Sequence, residues 1–280
     1  MRHRTRIILA LIVLLLAPTT QARAESIQWV TSLNKALSKA KSQPKLIMID
    51  FYTDWCTWCK KLDTVTYVDG RVVKLASQIY SVKLNAEDGA EGTKWAKKLD
   101  VHGYPAIIFL APSGELFGSI RGYQSPDTFT VSLQKMLDLH QEIPKLKMRV
   151  KQKDGVAAAR LAMFYASQSK TTEVLPLLQL ADARVPKDEN LLVAYNTLGA
   201  TYGMSKEYKR AIVCFDKVLQ RSNNAMHKTL ARFRLGLCYY SLKQPKLAQP
   251  HLQAVAGDVD APPKMREQAQ RILQQVNMAP

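Results

Sequence analysis

The sequence predicts two unlike parts, an α/β sandwich over residues 25–143 and an all-α repeat domain over residues 144–280, behind a removable leader at residues 1–24. Three observations lead to this. In residues 46–62, LIMIDFYTDWCTWCKKL, an apolar, β-branched run passes into a helical pattern through Cys56 and Cys59. Helical and strand patterns then alternate as far as residue 139, the order expected when helices cover both faces of a mixed sheet. Beyond His140 the pattern is wholly helical, and one arrangement of side chains recurs at a step of 37 residues.

Taken in order, residues 27–41 place Leu33, Leu37 and Ala40 at helical spacing, with Trp29 at the start, and Pro44 closes the turn. Residues 46–51 are a buried strand interrupted by Asp50. Residues 65–79 carry Val68, Val72, Leu75 and Ile79 at three- and four-residue steps and form a helix. Residues 81–84 are a short strand, and 93–99 a short helix with Trp95 and Leu99 turned inward. Residues 106–110 form an intensely apolar strand, and Pro112-Ser113-Gly114 marks the turn that lets 116–120 pair with it antiparallel. Residues 127–139 close this part as a helix, and Pro144 marks the boundary.

In the second part Ala162, Gly199 and Gly236 occupy one small-residue position, with Tyr165, Tyr202 and Tyr239 three residues later. Val174, Ala211 and Ala248 share a third position, and Leu178, Phe215 and Leu252 a fourth. Each unit is two helices, the small residue sitting where they approach and the large one filling the space between. The middle unit is the most regular; the first has Pro176 inside its second helix, and residues 265–276 form a last helix over the open end. Cys214 and Cys238 fall on neighbouring helices, which leaves a disulfide and two separate buried thiols both open.

At the start of the chain Arg2, Arg4 and Arg6 precede an eleven-residue apolar run, 7–17, and Ala22-Arg23-Ala24 is a small-x-small cleavage site. The run is far short of the ~20 residues that span a bilayer, so a cleaved export signal is expected. Its removal takes four of the 40 basic residues and none of the 23 acidic ones, lowering the net charge from +17 to +13. Export with four cysteines points to an oxidising compartment, periplasmic or secreted. The basic residues are scattered and accompany no nucleic-acid motif, so the charge fits solubility near an anionic membrane.

The chemistry is concentrated at the strand-to-helix handover. The first N–H groups of a helix lack partners and favour an anion, so a thiol there is lowered by one to several units from about 8.5. Two residues separate Cys56 from Cys59, close enough for one turn to hold a disulfide: one thiolate attacks, the other resolves. An ionised carboxylate inside an apolar strand is costly, so Asp50 has its pKa raised toward the range of a working base. Asp54, nearer the surface, shapes the local field. The acidic loop 85–92 lacks calcium-ligand spacing and is a solvent loop, no phosphate signature occurs, and no metal or cofactor is expected; His102 borders the site without a role.

The segment from Asp50 to Lys60, DFYTDWCTWCK, the strand Val82-Lys83-Leu84-Asn85, and Gly103-Tyr104-Pro105 followed by Ala106-Ile107-Ile108-Phe109 together resemble the thioredoxin superfamily, and within it secreted thioredoxin-like disulfide reductase domains. Three separated motifs in the right order make the resemblance specific, and it covers about residues 28–140. It implies a thioredoxin-like sandwich in which Cys56 is the exposed nucleophile and Cys59 the buried resolving thiol. It further implies that Asp50 takes a proton from Cys59, with Lys83 the lysine beside it, and that Pro105 is a cis-proline facing the disulfide. Trp55, Trp58 and Tyr104 join Pro105 as the residues that meet substrate. Thr57-Trp58 stands where Gly-Pro is common and Ala106 where threonine is common, so neither a potential nor a direction of electron flow transfers. The second part resembles tetratricopeptide repeats over about residues 155–259, with a step longer than the usual ~34.

The expected function is a periplasmic thiol–disulfide oxidoreductase of protein cysteines, more a reductase than an oxidase, supplied by a membrane thiol donor, with a peptide or protein held on the repeats. The rival is a noncatalytic assembly factor that binds through the repeats and uses the first domain as scaffold.

Overall fold

The computed structural model describes residues 26–278, so the expected export signal lies outside the described residues. In chain order the elements of the first half are β1 (Trp29–Val30), α1 (Leu33–Ser42), β2 (Ile47–Tyr52), α2 (Thr57–Lys61), a π-helical turn (Leu62–Thr66), α3 (Gly70–Ala76), β3 (Tyr80–Asn85), α4 (Glu91–Lys98), β4 (Ala106–Leu110), β5 (Leu116–Arg121) and α5 (Pro126–Lys151). The sheet order is β1-β3-β2-β4-β5. β1 and β2 run parallel to β3, whereas β4 is antiparallel to both β2 and β5.

The period of two along the strands sorts the side chains into two cores. Ile47, Ile49 and Phe51 with Ala106, Ile108 and Leu110 face α1 and α4, meeting Leu33, Ala36 and Ala96. Met48, Ile107 and Phe109 face the other way, toward Val72 and Val73 of α3 and Phe129 and Leu133 of α5. Asp50 shares the Met48 face, so one carboxylate is aimed into the second core.

Three expectations about elements are corrected. Trp29 does not start a helix: Trp29 and Val30 pair with Ser81 and Val82 as an edge strand, and α1 begins after Ser32, whose side chain accepts the Lys35 N–H. The helix expected over 65–79 is broken, because the π-helical turn ends at Tyr67 and the Asp69 carboxylate caps a new start by accepting the Arg71 N–H at 2.9 Å. Pro144 ends nothing; it lies inside α5, which runs on to Lys151. Pro144 has no N–H to donate, but Ile143 and Leu146 on either side are buried in the second core, and their packing keeps the helix going. That core continues without interruption into the second half through Leu161, Ala162 and Phe164.

The second half is α6 (Gly155–Ala166), α7 (Thr171–Arg184), α8 (Glu189–Met204), α9 (Tyr208–Arg221), α10 (Ala225–Ser241), α11 (Pro245–Ala256) and α12 (Pro263–Met278). Helices pack in consecutive pairs, α6 on α7, α8 on α9 and α10 on α11. The small-residue positions are where they touch: a Cβ on Gly199 would come within 2.6 Å of Phe215, and one on Gly236 within 2.6 Å of Leu252. The pairs also share one turn. Ser169, Lys206 and Lys243 adopt φ of 56°, 62° and 57°. The next residue donates its N–H back to a repeat tyrosine carbonyl, Lys170 to Tyr165 at 3.1 Å, Glu207 to Tyr202 at 2.8 Å and Gln244 to Tyr239 at 2.9 Å. Met265, Ala269, Ile272 and Leu273 of α12 cover the end of the stack against Phe233, Ala248 and Leu252. Cys214 and Cys238 are free and buried, and burial pushes their thiols up to about 12 and about 11. Among the described residues no helix is long and apolar enough to cross a membrane.

A candidate redox site at the end of strand β2

β2 leaves the sheet at Tyr52, and the Cys56 N–H turns back to the Thr53 carbonyl at 3.1 Å. Cys56 is the cap residue of α2, with extended backbone, and its Sγ accepts the Cys59 N–H at 3.1 Å. The two cysteines are joined as a disulfide, their Cα atoms 5.3 Å apart. The sulfur-bearing residue therefore sits where the unpaired N–H groups of the helix point, and α2 runs directly into the π-helical turn as a longer helical segment.

Cys59 is buried at 2 % exposure, but so is Cys56 at 4 %, which corrects the expectation of an exposed nucleophile. What stands out instead are the neighbouring indoles, Trp55 at 66 % and Trp58 at 53 %. In the oxidised state Cys56 has its sulfur bonded to Cys59 and turned to the helix N–H, and the indoles beside it are the exposed part of this segment.

In β2 Asp50 is fully buried, and neither of its oxygens has a hydrogen-bond partner among the described residues. Burial raises its pKa to about 7; Lys83 pulls it down and the negative field of Asp63 pushes it up. Parallel pairing sets Lys83 beside Asp50 in register, with Nζ 3.8 Å from Oδ2. The same ammonium forms its closer ion pair with Asp63. The Tyr67 hydroxyl, also without a partner, belongs to the same buried group, and its ionisation is pushed up by burial and then by Asp50. Its ring is held edge-on between Trp29 at 5.3 Å and Phe129 at 5.7 Å.

The Tyr104–Pro105 bond is cis, and the Pro105 carbonyl accepts the Gly122 N–H at 2.9 Å. Tyr104 packs edge-on against Trp55 with centroids 6.0 Å apart. His102, Tyr104, Pro105 and Arg121 line a cavity of about 530 Å³. His102 itself is exposed and bonded to Asp100 at 2.7 Å.

Cys56 is thus joined to Cys59, Lys83 is set beside Asp50, and Trp55 meets Tyr104, while Trp58 turns to a different partner, Tyr123, at 5.3 Å. Asp63, Tyr67, Glu87, Lys61 and Tyr123 were not anticipated. Asp63 had a signal: four residues after Cys59 on a helix, it shares a face with it. Glu87 and Tyr123 had none, because the ends of β3 and β5 reach the site only through the sheet. The acidic loop before α4 has a structural task, since the Asp88 carboxylate accepts the N–H groups of Ala90, Gly92 and Thr93.

Residues 33–137 match the family model described as a thioredoxin-like domain. The thiol:disulfide interchange protein DsbD of Salmonella typhi is 33 % identical over 124 residues, 42 % of this chain and 22 % of that protein. The protein of the same name from Ralstonia nicotianae is 28 % identical over 122 residues, 43 % of this chain and 20 % of its own. The chain therefore spans about a fifth of the length of the curated relatives it matches. Among solved structures, a putative disulphide-isomerase from Bacteroides thetaiotaomicron is 31 % identical, covering 43 % of this chain and 98 % of that one with a TM-score of 0.37. The first half is a thioredoxin-like α/β domain, and an all-α region follows it.

Proposed function

We propose that this chain is a thiol–disulfide oxidoreductase of protein cysteines, working outside the cytoplasm after loss of residues 1–24 and running mainly as a reductase. The observation that carries the proposal is a disulfide at a helix start, Cys56 to Cys59, together with a buried carboxylate in the strand before it whose pKa is raised to about 7. Reduced, Cys56 is the thiolate favoured by the helix N–H groups, and it attacks a client disulfide to form a mixed disulfide. Cys59 then displaces the client thiol, and its proton passes to Asp50, which near neutral pH exchanges protons readily. Lys83 offsets the charge of the Asp50 carboxylate before it takes that proton, while Trp55, Trp58, Tyr104 and Pro105 receive the client segment. In this scheme the electrons come from a thiol donor, a membrane carrier. Relatives named for thiol:disulfide interchange support the chemistry. The paired helices, with their common step and common turn, support a tetratricopeptide-like array that holds a peptide or protein near the disulfide.

Trapping tests this. Cys59→Ser leaves an attacking thiol without a resolving one, so mixed disulfides with a donor and with oxidised clients should accumulate in the native compartment. Cys56→Ser should abolish client reduction; full client maturation by that variant would instead leave an assembly factor that acts through the helices alone.

A further inference from the structure

We infer that the client cysteine accepted at this site is bracketed by opposite charges, a basic residue on one side and an acidic residue on the other. This deepens the exchange reaction proposed above and rests on it. Two aromatic pairs flank the disulfide, and each is pinned by a charge of different sign. On one flank the Trp55 indole N–H donates to Glu87 at 2.9 Å while its ring meets Tyr104. On the other, Trp58 lies against Tyr123, and the Lys61 ammonium stands 5.2 Å and 5.0 Å from the two ring centroids.

The sheet order makes these flanks opposite. Glu87 follows β3 and Tyr123 follows β5, and β2 and β4 lie between those strands. Asp54 adds to the acidic flank, accepting from Asn85 at 3.2 Å. Neither Glu87 nor Lys61 has an ion-pair partner among the described residues, and both are exposed, so both charges are presented to whatever lies across the indoles. An extended segment crossing from one flank to the other passes an acid, the disulfide and a base in turn. Charges of this kind act on encounter and register more than on final affinity.

The test is a single turnover. The full chain, reduced with dithiothreitol and freed of it, is mixed with disulfide-linked homodimers of three pentapeptides: Lys-Ala-Cys-Ala-Glu, its reverse, and Ala-Ala-Cys-Ala-Ala. Cys56 thiolate attacks the peptide disulfide and releases one peptide thiol; Cys59 attacks the mixed disulfide and releases the other. Two electrons pass from the protein dithiol to the peptide disulfide, and the protons of the two protein thiols end on the two peptides. One charged order should react about five-fold faster than its reverse at low salt, the size expected of a pair of exposed ionic contacts, with the neutral peptide between them. The preference should shrink at high salt. Glu87→Lys combined with Lys61→Glu should invert it, and Glu87→Gln or Lys61→Gln alone should each remove about half. Equal rates for the three peptides, or a preference that survives the double exchange, overturn the inference while leaving the oxidoreductase standing. Failure of the reduced chain to react with any of them overturns both.

Discussion

Asp50 is the residue on which the site's response to pH turns. A buried carboxyl raised to about 7 binds its proton in the folded chain over a range where the unfolded chain has already lost it. Stability therefore falls as pH rises from about 4 to about 7 and is level above, the reverse of a salt-bridged aspartate. The shift corresponds to a loss on the order of 4 kcal/mol. Asp50→Asn should remove that slope, so guanidinium midpoints measured from pH 4 to pH 8 should converge at low pH and favour the variant at pH 8. The same substitution should slow resolution of the mixed disulfide at neutral pH by about 100-fold or more, the usual worth of a general base being roughly 10²- to 10⁴-fold, without weakening the first attack. Two neighbours of Asp50 escaped the sequence for different reasons. Asp63 stands at a helical spacing from Cys59, but nothing along the chain ties it to Lys83; Tyr67 comes round to the carboxylate because a π-helical turn shifts the register of the side chains that follow Cys59.

Among the elements, α8 shows how a repeat signature becomes a packing requirement. Gly199 faces Phe215, which is buried at 1 % exposure, and has no room for a methyl group, whereas a Cβ on Gly203 would meet nothing within 4 Å. Gly199→Ala should destabilise the fold by about 1–3 kcal/mol through overpacking. Gly203→Ala, one turn further along the same helix, should be neutral or stabilise it by up to about 1 kcal/mol. Thermal unfolding of the two variants decides whether close approach or general helix propensity explains the glycines. The 37-residue step was readable because the two-helix unit repeats its contacts; the shared left-handed turn at Ser169, Lys206 and Lys243 was not, since serine and lysine carry no backbone signal. Strand β1 was missed for a related reason: two residues have no period, and only the partner strand makes them a strand.

Across the whole molecule the two halves share a core. Phe117 of β5 meets Phe164 of α6 with ring centroids 5.1 Å apart, the Gln168 amide donates to the Phe117 carbonyl at 3.1 Å, and Lys170 pairs with Glu115 at 2.7 Å. α5 passes through this junction unbroken. Phe164→Ala should cost about 3–5 kcal/mol, and it should lower both halves together. All four tryptophans lie at positions 29, 55, 58 and 95, so their emission reports the α/β half alone, while ellipticity at 222 nm is dominated by the helices. Coincident transitions by the two probes are expected in both proteins; a split would mean that the halves unfold independently. By itself the sequence determined the order of strands and helices from β2 onward, the placing of two cysteines at a helix start with an acid in the strand before them, and the helical pairs, because alternation, helical spacing and a repeat are properties of neighbours along the chain. Only the tertiary structure decided that Pro144 lies inside a shared helix, that Cys56 is recessed between exposed indoles, that Lys83 meets both Asp50 and Asp63, and that Glu87 and Tyr123 hold Trp55 and Trp58. Those outcomes depend on which segments the sheet order and the continuous core bring together, and contacts between residues far apart in the chain leave no period within it.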